Sequence, residues 1–245
     1  MTRRRFIADT WSASTATLTG DQATHLARVL RAVPGQVYDI VANGFLHRAE
    51  IIRVADDEVQ FLLHEELESE AALPLHLLLA VFKFDHMEWA IEKSTELGIA
   101  RITPIFASRT EKHLAQSALK RSDRWRRIAL EASKQSRRTD IPEIANPIAL
   151  KLALEQEQSP TRILLSETEQ ATTLTAALQA SLRAAASEAL SQEVAIAIGP
   201  EGGWTPEEMS LFTQHQWQPV TLGHRILRAE TAAIAAIAIA ASQLA

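Results

Sequence analysis

The chain has 245 residues, of which 47% are hydrophobic and 22% are charged, and this ordinary globular composition excludes a mainly disordered protein. The absence of cysteine excludes disulfide bonds and thiolate catalysis, and it is typical of a reducing compartment. The formal net charge of −5 argues against a protein that coats DNA, so no DNA partner is expected.

The N-terminus is typical of a soluble protein. No apolar signal core follows Arg3–Arg5, so no secretory peptide is expected. The longest apolar run, Ala232–Ala241, is too short to cross a bilayer, and no membrane partner is expected. We therefore expect a cytoplasmic protein with one large or two modest domains.

The first 70 residues predict a small β-barrel with one inserted helix. Strands at Val37–Val41 and Phe45–Val54 flank Asn43-Gly44, which favours a tight hairpin because both residues tolerate positive φ. A further strand is expected at Val59–Leu63. The apolar spacing in Asp21–Leu30 predicts the short helix.

The acidic run Glu65–Glu70 and Pro74 indicate a domain boundary, which divides the chain into residues 1–70 and 74–245. In the second part, apolar strands alternate with helices, a pattern typical of an α/β domain with a mostly parallel sheet and helices on both faces. Strands are expected at Leu75–Val81, Ile99–Phe106, Ile163–Leu165, Val194–Ile198 and Val220–Leu222. Helices are expected at Met87–Leu97, Leu119–Ser136, Pro206–His215 (with Thr205 as N-cap) and from Ala229 to the end.

Two further features concern partners. Residues 101–138 carry 11 Lys and Arg but 3 Asp and Glu, a net of +8, which indicates either a polyanion partner, most commonly nucleic acid, or a solvated helix face. The final helix is apolar nearly all round, so we expect it to be buried in its own domain or in a subunit interface.

Two glycine motifs follow strands of the α/β part: Gly199–Trp204 and Leu222–Ala232. Open α/β sheets bind ligands beyond the carboxyl ends of their strands, and glycines there let a ligand lie against the backbone. The first motif lacks the lysine and hydroxyl of a phosphate-binding loop, and the histidines form no metal-ligand pattern, so no metal site is expected.

Together these motifs resemble the RsmE branch of the SPOUT methyltransferases, which methylate N3 of a uridine in 16S rRNA of the small ribosomal subunit. Lys83–Gly98, Arg101–Pro104 and Glu131–Pro142 follow in the family's order. The resemblance implies an S-adenosylmethionine-dependent rRNA (uracil-N3) methyltransferase that forms homodimers. It also implies a SPOUT-type trefoil knot in the last strands and C-terminal helix, and a PUA-like RNA-binding barrel at the N-terminus.

The resemblance and the charge pattern assign residues to two binding roles. The cofactor residues that the resemblance implies are Leu165, Glu167, Gly199, Pro200, Glu201, Gly202, Gly203, Leu222, Gly223, Leu227, Arg228, Thr231 and Ala232. The resemblance also implies RNA contacts from Lys83, Arg109, Lys112, Gln135, Arg137 and Arg138. The charge of Arg3, Arg4 and Arg5 indicates RNA binding as well. The spacing of His25, Arg28 and Arg31 puts these three residues on one helix face, where they are further candidates. For each of these a solvated surface role is the alternative.

The candidate catalytic residues are Arg228 and Glu230. Arg228 is expected to stabilise the charge that develops on the base, because a guanidinium is a poor proton acceptor. Glu230 and Glu201 are both candidates for the base, and a structural role at a helix start is open for either.

Three residues depart from the family pattern. Phe84 replaces the usual glycine, His86 stands where a more basic residue is usual, and Lys134 replaces a glutamate. Two other functions stay open: a knotted RNA-binding module without activity, and a SPOUT enzyme that acts on another RNA.

Overall fold

The computed structural model describes residues 5–69, 71–188 and 191–244, with the side chains of 186–188 left aside. The chain forms two compact units. The first contains the chain up to Ala71 together with Ser133–Ile141, and the second contains Ala72–Ala132 and Pro142 onwards. Among the described residues, none of the helices combines the length and the apolar character that a membrane span requires.

The first unit contains a six-stranded sheet in the order β1-β4-β5-β6-β3-β2. Only the β1–β4 pair is parallel. The two edge strands of this sheet follow each other directly in the chain. The Ala8 amide donates to the carbonyl of Val41, and the next amide, that of Asp9, donates to the carbonyl of Thr17. The sheet is therefore curled. Its strands are β1 (Arg5–Ile7), β2 (Thr10–Trp11), β3 (Thr15–Thr19), β4 (Val37–Ala42), β5 (Phe45–Val54) and β6 (Glu58–Leu67).

The Asn43-Gly44 hairpin is confirmed. Ala42 pairs with Phe45, and the two turn residues have φ values of 53° and 81°. The predicted helix over Asp21–Leu30 differs in form, because α1 covers only Gly20–Thr24 and His25–Val29 is a π-helical turn. In this turn the Leu30 amide donates to the carbonyl of His25, five residues back. The expected shared helix face of the basic residues is therefore wrong for Arg31, which follows the turn with φ at 51°.

The second unit has a seven-stranded parallel sheet in the order β10-β8-β7-β12-β11-β13, with β9 also paired to β8. Its strands are β7 (Leu73–Ala80), β8 (Ile99–Phe106), β9 (Glu143–Ile144), β10 (Ile148–Ala149), β11 (Thr161–Leu165), β12 (Val194–Ile198) and β13 (Gln218–Val220). The helices are α2 (Phe84–Glu96), α3 (Lys112–Ser136), α4 (Leu150–Gln156), α5 (Leu174–Glu188), α6 (Pro206–Gln214) and α7 (Ala229–Leu244).

Both faces of this sheet are covered, as the sequence predicts. Apolar residues of α2, α3, α5 and α7 pack on one face, and those of α4 and α6 pack on the other. The parallel α/β architecture is thus confirmed. Helix α3 begins at Lys112 rather than Leu119, and the last strand ends at Val220 rather than Leu222.

Helix α7 buries one side of its apolar surface. Ala233, Ala236, Ile237 and Ala240 are fully buried, whereas Ile234 is only partly buried. The small side chains let the helix approach the sheet and α2 closely. The prediction of burial within its own domain is therefore confirmed for this side of the helix.

A buried polar cluster joins two central strands to the end of α4. The Nδ1 atom of His76 lies 2.5 Å from Oε2 of Glu157, and its Nε2 lies 2.8 Å from Oγ1 of Thr103. Glu157 also accepts a hydrogen bond from the Ser159 amide. Burial alone raises the pKa of Glu157, but the hydrogen bonds from His76 and Ser159 and the attraction to His76 outweigh it and lower the pKa to about 2.

Candidate active site

The candidate site lies at the carboxyl edge of the parallel sheet. The loops that follow β7, β8, β11, β12 and β13 leave the sheet at this edge, because parallel strands all end on the same side. Both glycine motifs of the sequence are among these loops. The edge therefore brings together segments that are far apart in the chain.

A cavity of about 280 Å³ opens between three of the loops. It lies among the residues that follow β7, β8 and β12, and of the predicted cofactor residues it includes three, Pro200, Glu201 and Gly202. Its lining is Val81, Phe82, Lys83, Arg109, Thr110, Glu111, Leu114, Pro200, Glu201 and Gly202. The predicted residues of the third loop do not line it.

Gly202 is in close contact with Arg109. The guanidinium of Arg109 donates a hydrogen bond to the carbonyl oxygen of Gly202. A Cβ at Gly202 would lie 3.2 Å from Cδ of Arg109, so glycine provides the space for this side chain. Gly203 adopts a φ of 69°, and a Cβ there would lie 4.0 Å from Oε2 of Glu167, which places the first two predicted cofactor loops side by side.

Trp204 connects the same two loops. Its indole Nε1 donates to the carbonyl oxygen of Leu165 at 3.1 Å. A Cβ at Gly199 would lie 3.1 Å from the indole ring, so the absence of a side chain at Gly199 leaves room for the ring. The sequence motif includes Trp204, but this contact could not be predicted from it.

Glu208 fixes the start of α6 and the loop after β8 together. Its Oε2 accepts from the Thr205 amide at 2.8 Å, and Oγ1 of Thr205 accepts from the Glu208 amide at 3.3 Å. This capping box confirms Thr205 as the N-cap. The other oxygen of Glu208 accepts from the Ser108 amide at 2.7 Å, next to Arg109. The Thr-x-x-Glu spacing is the sequence signal that would have identified Glu208.

Four charged or titratable side chains form a second cluster at this edge. Nζ of Lys83 lies 3.6 Å from Oε2 of Glu201, whose Oε1 lies 4.0 Å from Nδ1 of His86. The same Nδ1 lies 3.4 Å from Oε1 of Glu230. The cluster thus joins the starts of α2 and α7 to the glycine loop after β12.

The third predicted cofactor loop lies between β13 and α7. Gly223 has a φ of 115°, which favours glycine, and no atom lies within 4 Å of the position of its missing Cβ. Arg228 and Thr231 are exposed, and Leu222, Leu227 and Ala232 are partly buried. This loop therefore presents open backbone at Gly223 and an accessible guanidinium at Arg228.

The predicted RNA-binding residues are divided between the two units. In the second unit Lys83, Arg109 and Lys112 are exposed, near the cavity and the start of α3. In the first unit His25, Arg28, Arg31, Gln135 and Arg137 are exposed, and Arg28 lies 3.4 Å from Asp56. Arg3 and Arg4 lie outside the described residues.

Like Arg28, Arg5 and Arg138 have partners within the first unit. The Arg5 guanidinium donates to the carbonyl oxygen of Arg137, which ties the first strand to the segment after α3. Arg138 has a side chain that is 8% exposed and pairs with Asp140. Its guanidinium is thereby directed at a carboxylate of its own chain.

The family model described as RNA methyltransferase domain matches residues 69–241. Among curated proteins, the chain is 35% identical over 229 residues to ribosomal RNA small subunit methyltransferase E of Synechocystis, covering 92% of this chain and 72% of that protein. It is 31% identical to the protein of the same name from Bacillus subtilis, covering 92% of this chain and 89% of the relative.

Solved structures give the same result. A ribosomal RNA small subunit methyltransferase E from Neisseria gonorrhoeae, bound to S-adenosylmethionine, superposes with a TM-score of 0.78 at 29% identity, covering 97% of this chain and 96% of that one. A methyltransferase described as putative, from Legionella pneumophila and in complex with the same cofactor, has a TM-score of 0.80 at 28% identity over 99% and 98% of the two chains.

Proposed function

The chain belongs to the RNA methyltransferase family that includes ribosomal RNA small subunit methyltransferase E, and from this membership we propose that it transfers the methyl group of S-adenosylmethionine to N3 of a uridine in 16S rRNA. The observation that carries the proposal is the pair of glycine loops at the carboxyl edge of the sheet, in a chain similar to its relatives over nine-tenths of its length. The proposed substrate is the small ribosomal subunit or its RNA.

The loops fit the proposed cofactor. Gly203 and Gly223 leave backbone open to a ligand, because a Cβ at Gly203 would lie 3.8 Å from its nearest neighbour and no atom lies within 4 Å of that position at Gly223. The space beside Gly199 and Gly202 is taken by Trp204 and Arg109. We propose that these loops hold the adenosine and methionine parts of S-adenosylmethionine, which supplies an electrophilic methyl group when bound. The residues proposed to hold it are Leu165, Glu167, Gly199–Gly203, Leu222, Gly223, Leu227, Arg228, Thr231 and Ala232.

Transfer to N3 requires positioning and charge stabilisation. N3–H of uracil is weakly acidic and is a poor nucleophile while protonated, so the site must accept a proton and hold the nitrogen in line with the methyl carbon. Arg228 is exposed in the third loop, and we propose that its guanidinium stabilises the negative charge that develops on the uracil oxygens. Glu230 follows two residues later at the start of α7.

RNA binding is proposed for both units. The curled sheet of the first unit supports a PUA-like RNA-binding barrel over residues 1–70, with catalysis in 74–245. Exposed Lys83, Arg109 and Lys112 near the cavity supply positive charge for phosphates. We also propose a SPOUT-type trefoil knot around the last strands and α7, a homodimer, and a cytoplasmic location.

The test is mass spectrometry of rRNA nucleosides after incubation with S-adenosylmethionine and small subunits isolated from a strain that lacks the activity. We expect one new 3-methyluridine in 16S rRNA. A methyl group on a ribose or on a different base would contradict the proposed specificity. No transfer, together with no cofactor binding by calorimetry at millimolar ligand, would contradict the enzymatic role.

A further inference from the structure

Glu230 is a carboxylate in an environment that water does not reach. Its side chain is 3% exposed, and among the described residues its Oε2 has no hydrogen-bond partner. A buried carboxylate that lacks partners is costly, and such groups concentrate at functional sites. The residue lies in the first turn of α7, two positions after Arg228. A group that acts together with Glu230 must lie beside its carboxylate and be accessible to the substrate.

His86 is that group. Its Nδ1 is buried and has no hydrogen-bond partner among the described residues, and it lies 3.4 Å from Glu230 Oε1 and 4.0 Å from Glu201 Oε1. The side chain is 28% exposed, so the imidazole contacts both solvent and the buried carboxylate. Its other nitrogen, Nε2, lies 3.9 Å from Oδ2 of Asp85, a carboxylate that is 79% exposed and beyond hydrogen-bond distance.

We propose that His86 accepts the uracil N3 proton in the proposed methyl transfer and that Glu230 is the positioning residue that orients its ring. This assignment rests on the proposed function. A proton on Nδ1 directed at Glu230 leaves the Nε2 lone pair free as the acceptor, the arrangement by which carboxylates orient catalytic imidazoles. The 3.4 Å separation is that of the free protein, and such contacts tighten in substrate complexes.

The step balances with the groups named. The N3–H proton passes to Nε2 of His86, and the N3 lone pair forms a bond with the methyl carbon. The bond between that carbon and sulfur breaks, and its electron pair stays on sulfur. His86 later releases the proton to water. No oxidant, reductant or metal is needed.

The neighbouring groups are less suited to this role. Glu230 is too deeply buried to meet a base directly. Glu201 is accessible, but one of its oxygens already lies 3.6 Å from Nζ of Lys83. Arg228 carries a guanidinium, which is a poor proton acceptor. Histidine is the side chain whose ordinary pKa lies near neutrality, where a general base is most effective.

The test is the pH dependence of single-turnover methyl transfer to small subunits, measured with radiolabelled S-adenosylmethionine. We expect His86→Gln to lower the rate at pH 7 by about 100-fold or more, with unchanged cofactor and RNA affinity. His86→Arg places a permanent cation beside Glu230 but cannot accept a proton, so we expect the same loss. Glu230→Gln should lower the rate less and shift the midpoint of the pH profile.

Two measurements separate a chemical role from a structural one. Added imidazole should raise the rate of His86→Ala, which a misfolded protein would not allow. His64→Gln is the matched control, because His64 also lies 3.4 Å from a glutamate, Glu50, in the first unit. We expect it to keep the rate of the unaltered protein.

A near-normal rate in either His86→Gln or His86→Arg would overturn the assignment, and in the arginine case it would indicate a need for positive charge only. In both cases the unaltered protein still forms 3-methyluridine, so the proposed function stands. If the unaltered protein forms none, the proposed function itself fails.

Discussion

The guanidinium of Arg109 donates a hydrogen bond to the carbonyl oxygen of Gly202, and the missing side chain of Gly202 provides the space for this contact. The two residues come from loops after different strands, β8 and β12. Both line the same cavity. A larger residue in place of Gly202 would therefore move Arg109 and change the width of the cavity.

Gly202→Val should weaken cofactor binding. The added Cβ would lie 3.2 Å from Cδ of Arg109 and would crowd that side chain, which lines the cavity. Overpacking of this kind costs about 1–3 kcal/mol, and we expect roughly a 10- to 100-fold rise in Kd for S-adenosylmethionine by calorimetry. Arg109→Ala in the same protein should restore part of the affinity, relative to Arg109→Ala alone. Unchanged affinity in the valine variant would place the cofactor elsewhere.

Arg228→Ala should reduce methyl transfer while leaving the protein folded. The side chain is exposed, so its removal creates no cavity, whereas a lost electrostatic contact to the reacting base costs about 100- to 1,000-fold in rate. Single-turnover kinetics and thermal melting measure the two effects. Arg225→Ala is the control, because Arg225 is an exposed arginine in the same loop. Equal effects of the two substitutions would contradict a specific role for Arg228.

Glu208→Ala should destabilise the second unit. The substitution removes the Glu208 half of the capping box, the bond from the Thr205 amide, and leaves the Ser108 amide without its acceptor, and each loss costs on the order of 1 kcal/mol. In urea unfolding, the free energy of unfolding should fall by about 2 kcal/mol. The Ser108 amide hydrogen should also exchange faster with deuterium. Gln214→Ala is the control, because Gln214 is exposed at the other end of the same helix. A similar loss of unfolding free energy in both variants would show that the hydrogen bond from the Ser108 amide does not stabilise the protein.

Glu157 should make stability depend on acid pH. Its pKa is about 2 in the folded protein, against 4.5 for the ordinary group, so its contribution is fully present above pH 4.5 and is lost as the pH falls toward 2. The shift corresponds to roughly 3 kcal/mol at neutral pH. Urea unfolding of the unaltered protein and Glu157→Gln should differ most near pH 7 and converge near pH 2. Glu155→Gln, on the exposed side of the same helix, should leave the pH profile unchanged.

Strands with a strong local pattern were predictable residue by residue. Phe45–Val54, Ile99–Phe106 and Val194–Ile198 form over the predicted ranges, because an alternating or continuous apolar run is itself the signal. The Asn43-Gly44 turn is equally local. In contrast, the two-residue strands β9 and β10 exist only because their backbone pairs with β8, and no local pattern encodes that pairing.

For the candidate site, too, the local features were predictable and the long-range contacts were not. Its position at the carboxyl edge follows from the parallel sheet and from two glycine motifs that are visible in the sequence. The partners across loops do not follow, because they depend on tertiary geometry. Arg109 beside Gly202, Trp204 on the Leu165 carbonyl and His86 beside Glu230 each join segments far apart in the chain.

Ser133–Ile141 belongs to the first unit although it follows the segment Ala72–Ala132 of the second, so the polypeptide passes between the units three times. A truncated protein that stops at residue 71 would lack the backbone carbonyl to which Arg5 donates. An N-terminal fragment of this length therefore lacks part of the first unit. Probing its RNA affinity calls for the intact polypeptide with surface substitutions, or for a short linker that rejoins the nine-residue return to the end of the N-terminal stretch.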